Sequence, residues 1–180
     1  MSQIMTKNIR TAKLCSGDSC LVCRQPESKG GCQSESVTYQ ISCSRSPCKD
    51  RFNHKDPLSV PAPGPDPPAL YFGETSRTPF LRGQGHNKDY IKKADGSTMW
   101  RHTRDVHNGE IGQDNGLLDY RMIKLDTLPK PLDRIAKEGI LIGELDNMED
   151  NNSAISLNSK RDFQQANTVT ISYNRGAKKS

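Results

Sequence analysis

Apolar and polar positions alternate most regularly over Val37-Thr-Tyr-Gln-Ile-Ser-Cys43. A period of two among β-branched residues predicts a strand with Val37, Tyr39, Ile41 and Cys43 on one face. Ala69-Leu-Tyr-Phe-Gly73, a short apolar run ended by glycine, predicts a second strand, antiparallel to the first across a long loop. A third is expected over Leu117 to Leu125. Two short helices should lie between the second and third strands. Thr78 can cap the first, with Pro79 at its first helical position. Gly83 and Gly85 weaken that helix by about 1 kcal/mol each relative to alanine. The other runs from Ser97 to Val106, with Met99, Trp100 and Val106 as apolar contacts. Leu132 to Leu145, preceded by Pro129 and Pro131, carries the strongest helical pattern, with Ile135, Leu141, Ile142 and Leu145 as its buried stripe. The pattern predicts an α+β fold, a small three-stranded antiparallel sheet flanked by helices.

The remaining stretches show little periodicity. Residues 1–36 are polar around Cys15, Cys20, Cys23 and Cys32, so a fold there needs cross-links. Residues 50–68 hold Pro61, Pro63, Pro65, Pro67 and Pro68 and predict a stiff, exposed loop. The chain from Asp146 is polar, apart from an alternating run over Thr168 to Tyr173 that has no assigned place in this scheme. Arg175 to Ser180 is expected to be disordered. Three parts result: a Cys-rich extension over 1–36, a domain over 37–160 with the Pro-rich insert at 50–68, and a basic tail over 161–180.

Composition changes this picture in one respect. Only 32% of the 180 residues are hydrophobic and the mean hydropathy is −0.79, so the core is small and benefits from staples. Six cysteines could supply them. Met1 to Lys7 has no apolar h-region and no stretch reaches the length of a membrane span, so a nuclear or cytoplasmic, reducing compartment is the expectation. There metal ligation is favoured over disulfides, and a secreted, disulfide-stabilised interaction domain is the competing reading. The net charge of +5 is uneven, with an acidic excess only over residues 111–150. It suits a polyanionic partner, and equally an ordinary, mildly basic protein.

Three groups of residues can carry chemistry. At about 100° per residue, Glu138 falls inside the apolar stripe of the long helix, where a carboxylate is costly unless paired or bound to a cation. It could pair with Arg134 one turn earlier, or ligate a hard cation such as Mg²⁺. Arg82 and His86, four apart, would share a helix face, and a guanidinium beside a proton-shuttling imidazole suits phosphodiester hydrolysis. Cys43 and Cys48 with His102 and His107 could close a tetrahedral zinc site. Cys15, Cys20, Cys23 and Cys32 could close a second one in a zinc-stabilised N-terminal extension, or be free surface thiols. His54 reads as a loop histidine.

The order of these pieces resembles the GIY-YIG endonucleases. A tyrosine-bearing strand precedes Tyr71-Phe-Gly-Glu-Thr-Ser-Arg77, followed by Arg82-x3-His86, Glu138-Gly-Ile-Leu-Ile142 and Asn158. The stretch 71–77 is similar to the form of the second motif carried by Penelope-like retroelements. In that group two cysteines between the tyrosine motifs and a later histidine pair form a zinc motif, matched in order and type by Cys43, Cys48, His102 and His107. The upstream cysteine cluster also resembles theirs, and the likeness spans residues 15–160. Val37-Thr-Tyr39 stands in place of Gly-Ile-Tyr, Phe72 replaces isoleucine, and the Tyr39–Tyr71 interval is lengthened by the Pro-rich insert.

The resemblance implies a DNA endonuclease that nicks target DNA, with a reverse transcriptase of the same element as a further partner. Tyr39 would help deprotonate water, and Tyr71 would orient that water or bond the phosphate. Arg82 would stabilise charge on the phosphate, and His86 would assist proton transfer. Glu138 would hold Mg²⁺ (or Mn²⁺), and Asn158 would brace the site, with Asn151 and Asn152 nearby. A non-catalytic, zinc-containing nucleic-acid-binding module on the same fold is the alternative.

Overall fold

The structure, a computed structural model, describes residues 15, 17, 20–24, 31–45, 48, 69–116, 119–150 and 154–158. The Pro-rich insert, His54, Asn151, Asn152, the Thr168 to Tyr173 run and the basic tail lie outside them. The element order is β1 (Val37–Cys43), β2 (Ala69–Thr75), α1 (Pro79–Ile91), α2 (Thr98–Val106), a short 3-10 turn at Asp114–Gly116, β3 (Tyr120–Thr127), α3 (Pro131–Asp150) and β4 (Ile155–Ser156). β1 pairs antiparallel with both β2 and β3, which gives the expected three-stranded antiparallel sheet with three helices. A two-residue β4 adds to β2 in parallel, in the order β3-β1-β2-β4. Two residues are too few for a periodic signal, so this edge had none in the sequence.

β1 has a different environment from the one its alternation suggests. All seven of its residues are buried, the polar Thr38, Gln40 and Ser42 included. As the central strand it has both faces covered. Tyr39, Ile41 and Cys43 join the cluster that holds Tyr90, Met99, Trp100, Tyr120 and Met122. A second cluster joins Leu70 and Phe72 of β2 to Leu141, Ile142 and Leu145 of α3. The pairing of β1 with β3 shifts between Thr38 and Tyr39, so Leu125 is skipped in the register. Such a bulge bends β3 locally, opposite Tyr39.

The helix signals translate directly. Thr78 caps α1, its hydroxyl accepting from Leu81 N at 3.3 Å, with Pro79 where its missing N–H costs nothing. Ser97 caps α2 in the same way, accepting from Trp100 N at 3.2 Å. α1 runs through Gly83 and Gly85 for 13 residues despite their weak helical propensity. A Cβ at Gly83 would make only ordinary van der Waals contact, 3.4 Å from Met122 Sδ and 3.6 Å from Leu21, so close packing does not demand glycine there. β3 begins at Tyr120 rather than Leu117, with 117 and 118 outside the described residues. α3 continues to Asp150, past the end of the apolar stripe, with Met148 still packed on the second cluster.

Candidate active site and metal centres

β1 and α1 bring three polar side chains into hydrogen-bond contact. Arg82 Nε donates to Tyr39 Oη at 2.9 Å, and the same oxygen lies 2.9 Å from His86 Nε2. The four-residue spacing on α1 puts Arg82 and His86 on the face that meets the strand. Burial, followed by the positive charge of Arg82, lowers the His86 pKa to about 3, so the ring is neutral. A phenol that accepts from Arg82 can direct its own hydrogen to His86 Nε2, an arrangement that places the ring proton on Nδ1. Burial pulls Arg82 downward, but the phenols of Tyr39 and Tyr71 outweigh it and keep the guanidinium protonated. Burial raises the Tyr39 phenol well above the usual range, with Tyr71 adding to it and Arg82 opposing it.

Tyr71 completes the group, its ring edge-on to His86 at 5.5 Å and 6.2 Å from the ring of Tyr39. Gly73, directly across from Tyr39 in the register, makes room for this packing. A Cβ at Gly73 would lie 2.5 Å from Tyr39 Cζ and Oη and 2.9 Å from Tyr71 Cε1. An open, polar groove of about 410 Å³ adjoins the cluster, lined by Glu74, Thr75, Ser76, Arg77, Arg82 and Gly85 with Leu81. It combines two guanidinium groups with hydroxyls, donors that suit a phosphate ester.

Glu138 and Asn158 occupy other positions. Glu138 is half-buried on α3, near enough for its charge to raise the Tyr39 phenol. The Arg134 guanidinium makes further contacts that the sequence did not signal. Its Nε donates to Glu74 Oε2 at 2.8 Å, and Nη1 donates to the carbonyls of Leu128 and Pro129. Asn158 stands outside the tyrosine cluster and grips β2 by its main chain. Phe72 N donates to Asn158 Oδ1 at 2.9 Å, and Asn158 Nδ2 donates to the Phe72 carbonyl at 2.8 Å. This grip steadies the strand that carries Tyr71 and Gly73.

Two groups of side chains could each hold a metal ion, and within each the ligand atoms lie within 4.8 Å of one another. Cys43 at the end of β1, Cys48, His102 on α2 and His107 at its C-cap form a fully buried group. Cys43 Sγ and Cys48 Sγ lie 3.3 and 3.7 Å from His107 Nε2, and Cys48 Sγ lies 3.5 Å from His102 Nε2. A tetrahedral ion with ordinary zinc–sulfur and zinc–nitrogen bonds sets that edge at about 3.6 Å. A hydrogen bond from Cys43 lowers the Cys48 thiol to about 4, while the same bond and burial drive Cys43 up, so one of the pair ionises readily. The donor set therefore fits zinc.

The other group is Cys15, Cys20, Cys23 and Cys32, with Cys20 and Cys32 buried and the other two half-buried. Gly17 N points at Cys15 Sγ and Cys23 N at Cys20 Sγ, both at 3.4 Å. Burial raises Cys20 to about 11 and Cys23 to about 12, so these thiols need a cation to ionise. None of the six cysteines is in a disulfide.

One buried network carried no signal in the sequence. Tyr90 donates to Asp119 Oδ2 at 2.6 Å, and Gly112 N donates to the same oxygen at 2.8 Å. Thr103 links Tyr90 to Tyr120, which donates to the Met99 carbonyl at 2.6 Å. Arg45 reaches both Asp119 and the Glu110 carbonyl. These bonds tie α1, α2 and the start of β3 together behind the Cys2His2 group.

Comparison with family models, with curated proteins and with solved structures finds no match for this chain. Among the described residues, no helix is long and apolar enough to cross a membrane.

Proposed function

We propose that the chain is a divalent-metal-dependent DNA endonuclease of the GIY-YIG type, nicking target DNA for a retroelement. The observation that carries this reading is the Arg82–Tyr39–His86 chain of hydrogen bonds, set beside a polar groove with two arginines. Tyr39 can take a proton from water only if its own proton leaves along the hydrogen bond to His86 Nε2, a transfer that needs a bound anionic phosphate to raise the low pKa His86 has in the empty site. Hydroxide then attacks phosphorus as the bond to the leaving oxygen breaks. Arg82 remains cationic throughout and faces the growing negative charge, the kind of fixed electrostatic contribution that often dominates catalysis. Tyr71 orients the water or the phosphate. Glu138 would hold Mg²⁺ (or Mn²⁺), which supplies charge neutralisation at the leaving oxygen. Zinc in the two Cys/His groups would be structural, and the nick would offer a primer end to a partner reverse transcriptase.

The fit of two metal-ligand groups in so small a core also favours a second reading, a zinc-containing module that binds nucleic acid without cutting it. A supercoiled-plasmid assay with Mg²⁺ separates the two. Wild type is expected to produce nicked circles, and Glu138→Ala to bind DNA equally but cut at least about 10²-fold more slowly. Binding without cutting by wild type, under any divalent ion, would leave the second reading.

A further inference from the structure

The Cys15–Cys32 segment reaches the two elements that frame the reacting groups. The Cys32 carbonyl accepts from Phe80 N at 3.0 Å. That amide belongs to the first turn of α1, where helical acceptors are lacking and an outside partner is needed. The Leu21 carbonyl accepts from Met122 N at 3.2 Å, docking the segment on β3. The Leu21 side chain sits over Gly83, in ordinary van der Waals reach of a Cβ placed there. Gly83 follows Arg82 directly and precedes His86 by three residues. Arg24 adds an ion pair to Asp114 at 3.4 Å.

The described residues of this segment include no helix or strand, only turns. Loop backbone holds two carbonyls at fixed positions only when something restrains it, since each ordered residue costs on the order of 1 kcal/mol in entropy. Four thiol sulfurs gathered within 4.8 Å are the available cross-link. The Cys2His2 group draws its ligands from β1, Cys48 and α2, and so leaves the first turn of α1 untouched.

We propose that an ion held by Cys15, Cys20, Cys23 and Cys32 clamps α1 against the sheet, and so sets Arg82 and His86 against Tyr39. The ion is positional, and Leu21 and Cys32 transmit its effect. Only the activity readout rests on the endonuclease reading.

The test compares wild type with Cys23→Ser by metal content, by cobalt substitution and by amide hydrogen exchange. Cobalt absorption separates four-sulfur from two-sulfur, two-nitrogen ligation. The variant should hold one ion where wild type holds two, keeping the two-sulfur, two-nitrogen spectrum. Amides of residues 80–86 should then exchange about tenfold faster, with those of α3 unchanged. Unchanged protection of α1 in a variant that has lost its ion would overturn the clamp, as would a wild type that binds only one. If Cys23→Ser unfolds outright, Leu21→Ala replaces it. That variant keeps both ions and should still loosen residues 80–86 and lower kcat for nicking without changing DNA affinity. An α1 as protected as wild type in Leu21→Ala equally sinks the idea. A wild type that never nicks, yet shows the exchange pattern, would keep the clamp and remove the endonuclease reading.

Discussion

Gly73 and His86 show how much of the site rests on single side chains. A methyl group at Gly73 would collide with the Tyr39 phenol ring, which is fully buried and has no free direction to retreat. Gly73→Ala should therefore leave the chain folded, at a cost of about 1–3 kcal/mol for overpacking. A displacement of about 1 Å in a reacting group can cost about 10²-fold in rate, which a plasmid time course would register. His86 makes a separate prediction about acid. Its folded pKa of about 3 lies below the ordinary 6.5, so the unfolded chain binds a proton more readily. Stability from this residue is complete above pH 6.5 and is lost progressively as pH falls from there towards 3. Urea unfolding of wild type and His86→Gln between pH 7 and 4 isolates the effect, because acid losses at the metal ligands are common to both. The variant should show the shallower decline, and parallel curves would refute the neutral-histidine assignment.

At the scale of elements, the attachment of α3 to the sheet depends on Arg134. The guanidinium is 4% exposed and binds Glu74 on β2 together with two carbonyls just before the helix. Arg134 precedes Glu138 by one turn, so the same contact helps hold in place the turn whose Glu138 charge reaches the Tyr39 phenol. Arg134→Met would leave the two carbonyls and Glu74 without their donor. Hydrogen bonds to charged groups are worth about 1.5–3 kcal/mol, and the 29% exposure of Glu74 places the expected loss near the lower figure. Chemical denaturation measures it. Adding Glu74→Gln to that variant should recover part of the loss, since the stranded carboxylate goes with it.

For the molecule as a whole, legibility followed locality. β1, the Thr78 cap and the α3 stripe could be read because periodicity and capping act within a few residues. The group of Tyr39, Tyr71, Arg82 and His86 could be named from motif order, although its contact geometry could not. The ion pair of Arg134 with Glu74 had no signal, because the two lie 60 positions apart in the sequence. Asp119 had no signature at all, since its partners Tyr90 and Gly112 meet it only after folding. The docking of the Cys-rich segment was hidden for the same reason: main-chain carbonyls carry no residue identity.

β1 places Tyr39 and Cys43 on one face, with Ile41 between them. Both depend on a single count of residues along the strand. Insert or delete one residue between Val37 and Tyr39, and the phenol and the Cys43 sulfur change sides together. Between Tyr39 and Cys43 the same event would part them. Descendants of this chain can therefore change length without disturbing that count only where the strand has ended.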